Sequence, residues 1–238
     1  LNKEEAKILI DFMEKIGYRF YEPELLYNAL CHSSYAHEQK QRGRKDVESN
    51  ERLEFLGDAV IDLLLAEYLY LEFPEASEGV MAKVKAAIAS EEALAQIARD
   101  INLGRYMFLG RGEEVSSGRE RDSLLADMLE AVVAAVYIDG GLTAVKKVFL
   151  SYFAKYAKEV VEGKIVFDYK TSLQEITQAR YRKLPEYVLV NEKGPSHMKK
   201  FTVELRLSGK LIAVGEGPSI KEAEKEAARR AIEKLKGD

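Results

Sequence analysis

Four acidic side chains stand where apolar helices ordinarily carry leucine. Glu54 and Asp58 lie in NERLEFLGDAVIDLLLAEYL (50–69), and Asp127 and Glu130 in SLLADMLEAVVAAVYI (123–138). Spacings of four and three residues put each pair on one face of its helix, and Glu51 extends the first stripe by one turn. A carboxylate withdrawn from water without a positive partner is costly, and neither segment supplies an in-line cation. A divalent metal ion is the partner this pattern calls for, and an all-oxygen donor set suits Mg²⁺, with Mn²⁺ as a substitute. A di-iron bundle would need Glu-x-x-His motifs, and none of His32, His37 and His197 follows a glutamate by three positions. Acid pairs are common on solvated helix faces in a chain with 32% charged residues. That alternative is weakened here by the apolar character of the other faces. From the residues alone, the chemistry reaches metal-assisted hydrolysis or transfer and stops there.

The elements that must hold these acids follow from spacing and breakers. Residues 4 to about 158 have helical periodicity, with helices expected near 3–15, 23–31, 50–72, 78–89, 91–100, 122–139 and 142–160. Gly17, Pro23, Pro74, Gly79 and Gly140-Gly141 separate them. Leu53, Leu56, Val60, Leu63 and Leu64 are expected to face the core. Gly57, beside Asp58, leaves room for a neighbouring helix or a substrate to approach the backbone. The polar stretch 38–49 reads as a mobile loop, and the glycine-containing stretch 104–121 also reads as loop. After a short linker at 161–167 the pattern changes to α-β-β-β-α: a helix near 170–182, strands at 186–193, 199–208 and 210–217, and a helix from Ser219 to about Lys236. Turns at Gly194-Pro195 and Ser208-Gly209 make the sheet antiparallel, with both helices on one face. The fold class is therefore multidomain: an all-α domain at 1–160 and a small α+β domain at 168–238.

Composition narrows the partners. One cysteine, Cys31, excludes an intrachain disulfide framework and a thiolate metal site. No apolar run reads as long enough to span a membrane, because Asp58, Asp62, Glu67, Asp127 and Glu130 interrupt them, and the charged first ten residues do not read as a signal peptide. A cytoplasmic location is expected. The net charge of −4 hides an asymmetry: 21 Lys+Arg against 29 Asp+Glu in residues 1–167, and 15 against 11 in 168–238. An acidic body with a basic tail suggests an anion-binding module, although two solvated surfaces would look the same.

The run NERLEFLGDAV (50–60) resembles the signature of the ribonuclease III family. HSSYAHE (32–38), FPEASEGVMAKVKAA (73–87) and LLADMLEAVVAAVYIDGG (124–141) are similar to its other landmarks, in the same order. The resemblance covers nearly the whole chain and implies an endonuclease domain followed by a double-stranded-RNA-binding domain. It implies that Glu54, Asp58, Asp127 and Glu130 form the catalytic cluster, with Glu54, Asp127 and Glu130 ligating Mg²⁺. Glu78 resembles an auxiliary acid, although a carboxylate favoured by a helix dipole would look the same; Glu51 would support the site or the substrate. The implied activity is hydrolysis of both strands of duplex RNA, leaving 5′-phosphates and short 3′ overhangs, in rRNA and mRNA processing. The implied assembly is a homodimer, with Phe55 resembling an aromatic knob that enters a socket on the partner; an ordinary core phenylalanine is the alternative. His32 and Ser33 could brace a helix end and are assigned no chemistry. Lys83 and Lys85 fit phosphate contacts or solvated lysines equally.

Duplex RNA is recognised largely by shape, through 2′-hydroxyls in two minor grooves and the phosphates between them. Thr171, Gln174, Glu175 and Gln178 suit the first groove, and the GPSH loop with His197 the second. Lys221 and Lys225 on the last helix suit the phosphates. Many relatives begin that helix with consecutive lysines, whereas this chain has Ile220; Lys199 and Lys200 could compensate. Ala227, Ala228 and Ala231 are expected to pack on the sheet. A non-catalytic duplex-RNA-binding dimer is an alternative that the intact acid set argues against. A small-molecule phosphohydrolase would leave the basic tail unexplained.

Overall fold

Local capping sets where the chain begins to coil. The Asn2 side chain accepts the Glu4 and Glu5 N–H groups at 2.9 Å, and Glu5 accepts the Asn2 N–H at 2.7 Å. This reciprocal box starts α1 (Lys3–Ile16), which ends at Gly17 in the left-handed conformation. The computed structural model describes residues 1–44, 46–162, 169–194 and 199–236, which divide into two compact units, Leu1–Phe167 and Asp168–Asp238. His197 and most of the expected linker lie outside the described residues.

The first unit continues with α2 (Pro23–Ala29), α3 (Ser33–Gln41), α4 (Glu51–Glu72), α5 (Glu78–Ile88), α6 (Glu91–Asp100), the short α7 (Arg111–Val115) and α8 (Asp122–Val161). α8 is the central element, with α2, α4, α5 and α6 all packed on it. It bends at Gly141 (φ 70°, ψ −177°), where the two expected helices meet. Asp139 fastens that joint to the N-terminal segment, accepting the Tyr18 hydroxyl at 2.7 Å and the backbone N–H groups of Tyr21 and Glu22. By length and composition α8 could cross a membrane, contrary to the sequence expectation; half of its most apolar stretch is buried within the unit.

Four expectations for this unit need correction. The stretch 38–49 is not a loop throughout, because α3 runs to Gln41 and Val47 is fully buried. Arg44 is anchored to Glu5 at 2.6 Å, and the Tyr27 and Tyr35 hydroxyls donate to the same carboxylate oxygen at 3.0 Å. Burial by itself would raise the Glu5 pKa, but these donors and the Asn2 N–H bring it down to about 2. The stretch 104–121 holds α7 and turns of 3-10 helix, and α2 stops at Ala29 because Cys31 bridges to Phe108. Leu63 is 52% exposed and faces away from the core.

The second unit is α9 (Tyr169–Tyr181), β1 (Glu186–Lys193), β2 (Lys200–Leu207), β3 (Lys210–Gly217) and α10 (Ile220–Lys236). The sheet is antiparallel in the order β1-β2-β3. Ser208 and Gly209 both have positive φ, the requirement of a two-residue hairpin turn that follows the strand twist. Ser219 accepts the Glu222 N–H at 3.1 Å and starts α10 as expected. α10 lies against β2 and β3, with Ala227, Ala228 and Ala231 fully buried as expected, and α9 packs on α10. The approach is backbone to backbone: a Cβ on Gly215 would lie 2.1 Å from the Ala223 carbonyl oxygen.

Candidate metal centre and RNA-binding face

The acid cluster is built by the closest approach of α4 and α8. A Cβ on Gly57 would sit 1.9 Å from the Glu130 carbonyl oxygen, so the helices can meet here only because Gly57 has no side chain. Glu54, one turn earlier on α4, is thereby brought beside Asp127 and Glu130. Ligand oxygens of these three residues all lie within 4.8 Å of one another, and each residue is half-buried. Asp58 is exposed and outside that group, yet close enough for its charge to act on Glu130.

The electrostatics are those of a cluster that lacks a counter-charge. Burial, then repulsion from Asp58, Asp127 and Glu54, pushes the Glu130 carboxyl up to about 8. Glu54 is raised by burial and by Asp127 and Glu51; Asp127 is raised by burial and by Glu91, partly offset by His32. Among the described residues, the charges that act on these three carboxylates are other acids, with His32 the one favourable contribution. Three carboxylates sharing one small volume, one of them held protonated near neutrality, fit a hard divalent cation.

The other expected site residues sort plainly. Glu51 is exposed and accepts the Ser49 hydroxyl at 2.7 Å. Glu78 is exposed at the first position of α5, where the helix dipole favours a carboxylate, and it is not part of the three-residue cluster. Phe55 is 84% exposed, which removes the reading as an ordinary core residue. Lys85 is held by Asp62 at 2.6 Å. Glu91, at the start of α6, was missed by sequence reasoning. Its nearness to Asp127 arises only from α6 packing on α8, and no local pattern signals it.

In the second unit Thr171, Gln174, Glu175 and Gln178 are exposed on α9 at spacings of three, one and three, forming one polar face. Lys221 is exposed and Lys225 half-buried in the first turns of α10. Lys199 pairs with Glu192 and Lys200 with Glu216 at 2.6 Å, so neither is an uncommitted compensator for Ile220. Lys170 joins α9 to α10 through Glu224 at 2.6 Å and lies over the Tyr187 ring.

A helical unit with an acid cluster suited to a cation, followed by an α-β-β-β-α unit with a polar helix face, defines the class of nucleases that carry their own duplex-RNA-binding module. A family model described as Ribonuclease-III-like matches residues 22–157, and one described as Double-stranded RNA binding motif matches 169–235. Over 222 residues the chain is 47% identical to Ribonuclease 3 of Caldanaerobacter subterraneus subsp. tengcongensis, covering 93% of this chain and 96% of that one. It is 46% identical over 227 residues to Ribonuclease 3 of Syntrophobacter fumaroxidans, covering 94% and 93%. The solved nuclease domain of ribonuclease III from Campylobacter jejuni, described for structural flexibility in a region involved in dimer formation, superposes with a TM-score of 0.55 at 35% identity. That match covers 65% of this chain and 98% of that one. The chain belongs to the ribonuclease III family and is a double-strand-specific endoribonuclease. The family is metal-dependent, and the acid cluster is compatible with that dependence.

Proposed function

We propose that the chain hydrolyses phosphodiesters in both strands of duplex RNA with Mg²⁺ held by Glu54, Asp127 and Glu130, Mn²⁺ serving as a substitute. The observation that carries this reading is the convergence of these three carboxylates within 4.8 Å of one another. The ion, when bound, polarises the scissile phosphate and acidifies the attacking water. Glu130 gives up its proton on loading, since a carboxyl held up to about 8 ligates only as its anion. Asp58, exposed beside Glu130 and outside the ligand group, accepts the proton of the attacking water. Water oxygen joins phosphorus as the bond to the 3′ oxygen breaks, and the leaving oxygen takes a proton from solvent water, giving a 5′-phosphate and a 3′-hydroxyl. Glu51 and Glu78 act as outer acids toward the substrate.

Cutting both strands with short 3′ overhangs follows from two centres related by a two-fold axis, and the surface of α4 supports such a homodimer. Phe55, Ala59, Leu63, Ala66 and Tyr70 are all exposed along one helix face. At the far end of α4 a cavity of about 330 Å³ is lined by Tyr70, Leu71, Phe73, Pro74, Ala76 and Met81. An isologous, antiparallel pairing of α4 with its copy brings each Phe55 toward the other's cavity.

The proposed division of the chain is a nuclease domain at 1–160, a linker at 161–167 and an RNA-binding domain at 168–238. In the last, Thr171, Gln174, Glu175 and Gln178 enter one minor groove and His197 the next. Lys221 and Lys225 meet the phosphates, with Lys199 and Lys200 contributing only by exchanging their glutamate partners. Kinship with ribonuclease 3 proteins supports a cytoplasmic role on rRNA and mRNA precursors. The test is labelled duplex RNA incubated with and without Mg²⁺, comparing the chain with Glu130→Ala. Cleavage only by the unaltered chain with metal is expected, with RNA retention equal in both; binding without cleavage in either would overturn the enzymatic reading.

A further inference from the structure

Asn50 stands at the start of α4, one turn before Glu54, yet its side chain does not cap the helix. Its dihedrals are helical (φ −74°, ψ −9°), and the side chain makes no bond to the N–H groups of the first turn, although asparagine is a favoured cap. The residue is instead 3% exposed, and its carboxamide crosses to α8, where Nδ2 lies 3.7 Å from the sulfur of the fully buried Met128. A thioether can only accept, so the amide donates here to a weak acceptor. The backbone of Asn50 is committed as well. Its N–H donates to the Cys31 carbonyl at 2.9 Å, and its carbonyl accepts the Glu54 N–H at 2.9 Å.

Stability does not account for this arrangement. A buried amide with a weak partner gains little, and an apolar pair of the same shape would hold the helices about as well. What the bond adds is direction. The contact of Gly57 with the Glu130 backbone limits how near α4 comes to α8, but apolar packing around it is non-directional and does little to stop one helix sliding along the other. The bond from Asn50 to Met128 fixes that slide at a second point. Met128 follows Asp127 directly and precedes Glu130 by two residues, while Glu54 falls between Asn50 and Gly57. The two points therefore bracket the stretch on which the three carboxylates converge within 4.8 Å of one another.

We propose that Asn50 is a positioning residue of the metal centre: its carboxamide, bonded to the Met128 sulfur, holds α4 in register with α8 so that Glu54 meets Asp127 and Glu130. Groups that stand behind the ligands of a metal site act in this way, fixing the placement of side chains whose role they do not share. The inference rests on these three carboxylates being the metal ligands, as proposed above.

Stability and metal binding are measured separately, by denaturant unfolding of the metal-free full chain and by calorimetric titration of Mn²⁺ into it. Asn50→Leu sets an apolar side chain of similar size against Met128, and Asn50→Ser supplies a good cap that is too short to reach the sulfur. Both are expected to bind Mn²⁺ at least about tenfold more weakly than the unaltered chain. Adding Met128→Leu to Asn50→Leu makes the contact apolar on both sides. That double variant is expected to unfold at a denaturant concentration close to that of the unaltered chain while its Mn²⁺ affinity stays low. Unaltered affinity in either single variant overturns the inference. So does a loss of affinity that tracks the loss of stability across the three variants, which is the result a purely structural asparagine would give. Asp127→Asn tells the two failures apart. If it binds Mn²⁺ like the unaltered chain, the ligand assignment fails and the inference with it; if it binds weakly while the Asn50 variants bind normally, the role of Asn50 alone fails.

Discussion

Glu130 is held half-buried among other acids, and burial followed by the charges of Asp58, Asp127 and Glu54 pushes its carboxyl up to about 8. In the unfolded chain the same group ionises near 4.5, so between these values the folded state binds more protons than the unfolded one. Its contribution to stability is fully present below about pH 4.5 and is lost as pH rises through about 8. The metal-free protein should therefore melt at progressively lower temperature from pH 5 to pH 8, and Glu130→Gln should flatten that slope. Saturating Mg²⁺ should reverse it, because the ion displaces the proton and stabilises the anion. Scanning calorimetry across the pH series checks this; an unchanged slope in Glu130→Gln would assign the effect to another group. The identities of the four acids were legible in the sequence because each breaks an apolar pattern. Glu91 was not legible as a neighbour of the cluster, since a helix-initiating glutamate is an ordinary feature until the packing of α6 on α8 brings its charge to bear on Asp127.

At the scale of elements, the site depends on how closely α4 and α8 approach. Gly57→Ala would place a methyl group 1.9 Å from the Glu130 carbonyl oxygen, and backbone cannot yield as a flexible side chain can. Separating the helices should cost about 3 kcal/mol of stability, and it should weaken metal binding by moving Glu54 away from Asp127 and Glu130. Denaturant unfolding and Mn²⁺ titration measure the two effects; a loss of stability with unaltered metal affinity would show that the cluster tolerates the shift. The outer face of α4 makes a separate prediction. Phe55 is exposed in the single chain, so Phe55→Ala should leave monomer stability nearly unchanged while weakening dimerisation by roughly 2 kcal/mol, about thirtyfold. Sedimentation equilibrium reads this directly, and a dimer of unaltered strength would leave Phe55 without the knob role. The sequence marked α4 as a helix and Gly57 as a point of close approach. It misassigned Leu63 to the core, because an exposed apolar stripe has the same periodicity as one facing inward.

At the scale of the whole molecule, each unit has its own buried core, one centred on α8 and the other between α10 and the sheet. A chain ending at residue 162 should therefore keep its fold and its metal site. It should capture duplex RNA at least about tenfold more weakly near physiological salt, because the contacts that neutralise phosphates are lost, while still cutting at low salt. Filter binding and cleavage across a salt series test this. Complete loss of cleavage at every salt concentration would mean that the second unit contributes to the chemistry itself.

Sequence alone determined most of the elements, their order and the chemistry available to them. Helical periodicity, caps such as Asn2 and Ser219, and the Ser208-Gly209 turn are local signals written within a few neighbouring residues. They failed where local signals are weak, at α3 and α7, whose polar residues are held in place by distant partners such as the Glu38 carboxylate, which accepts the Arg111 N–H at 2.7 Å. Only the tertiary structure decided which acids share a volume, that Asp58 stands outside the three-carboxylate cluster, and that Lys199 and Lys200 are already paired. Those facts are distances between segments far apart in the chain, and they are set by the packing of α4 on α8 and of strand on strand.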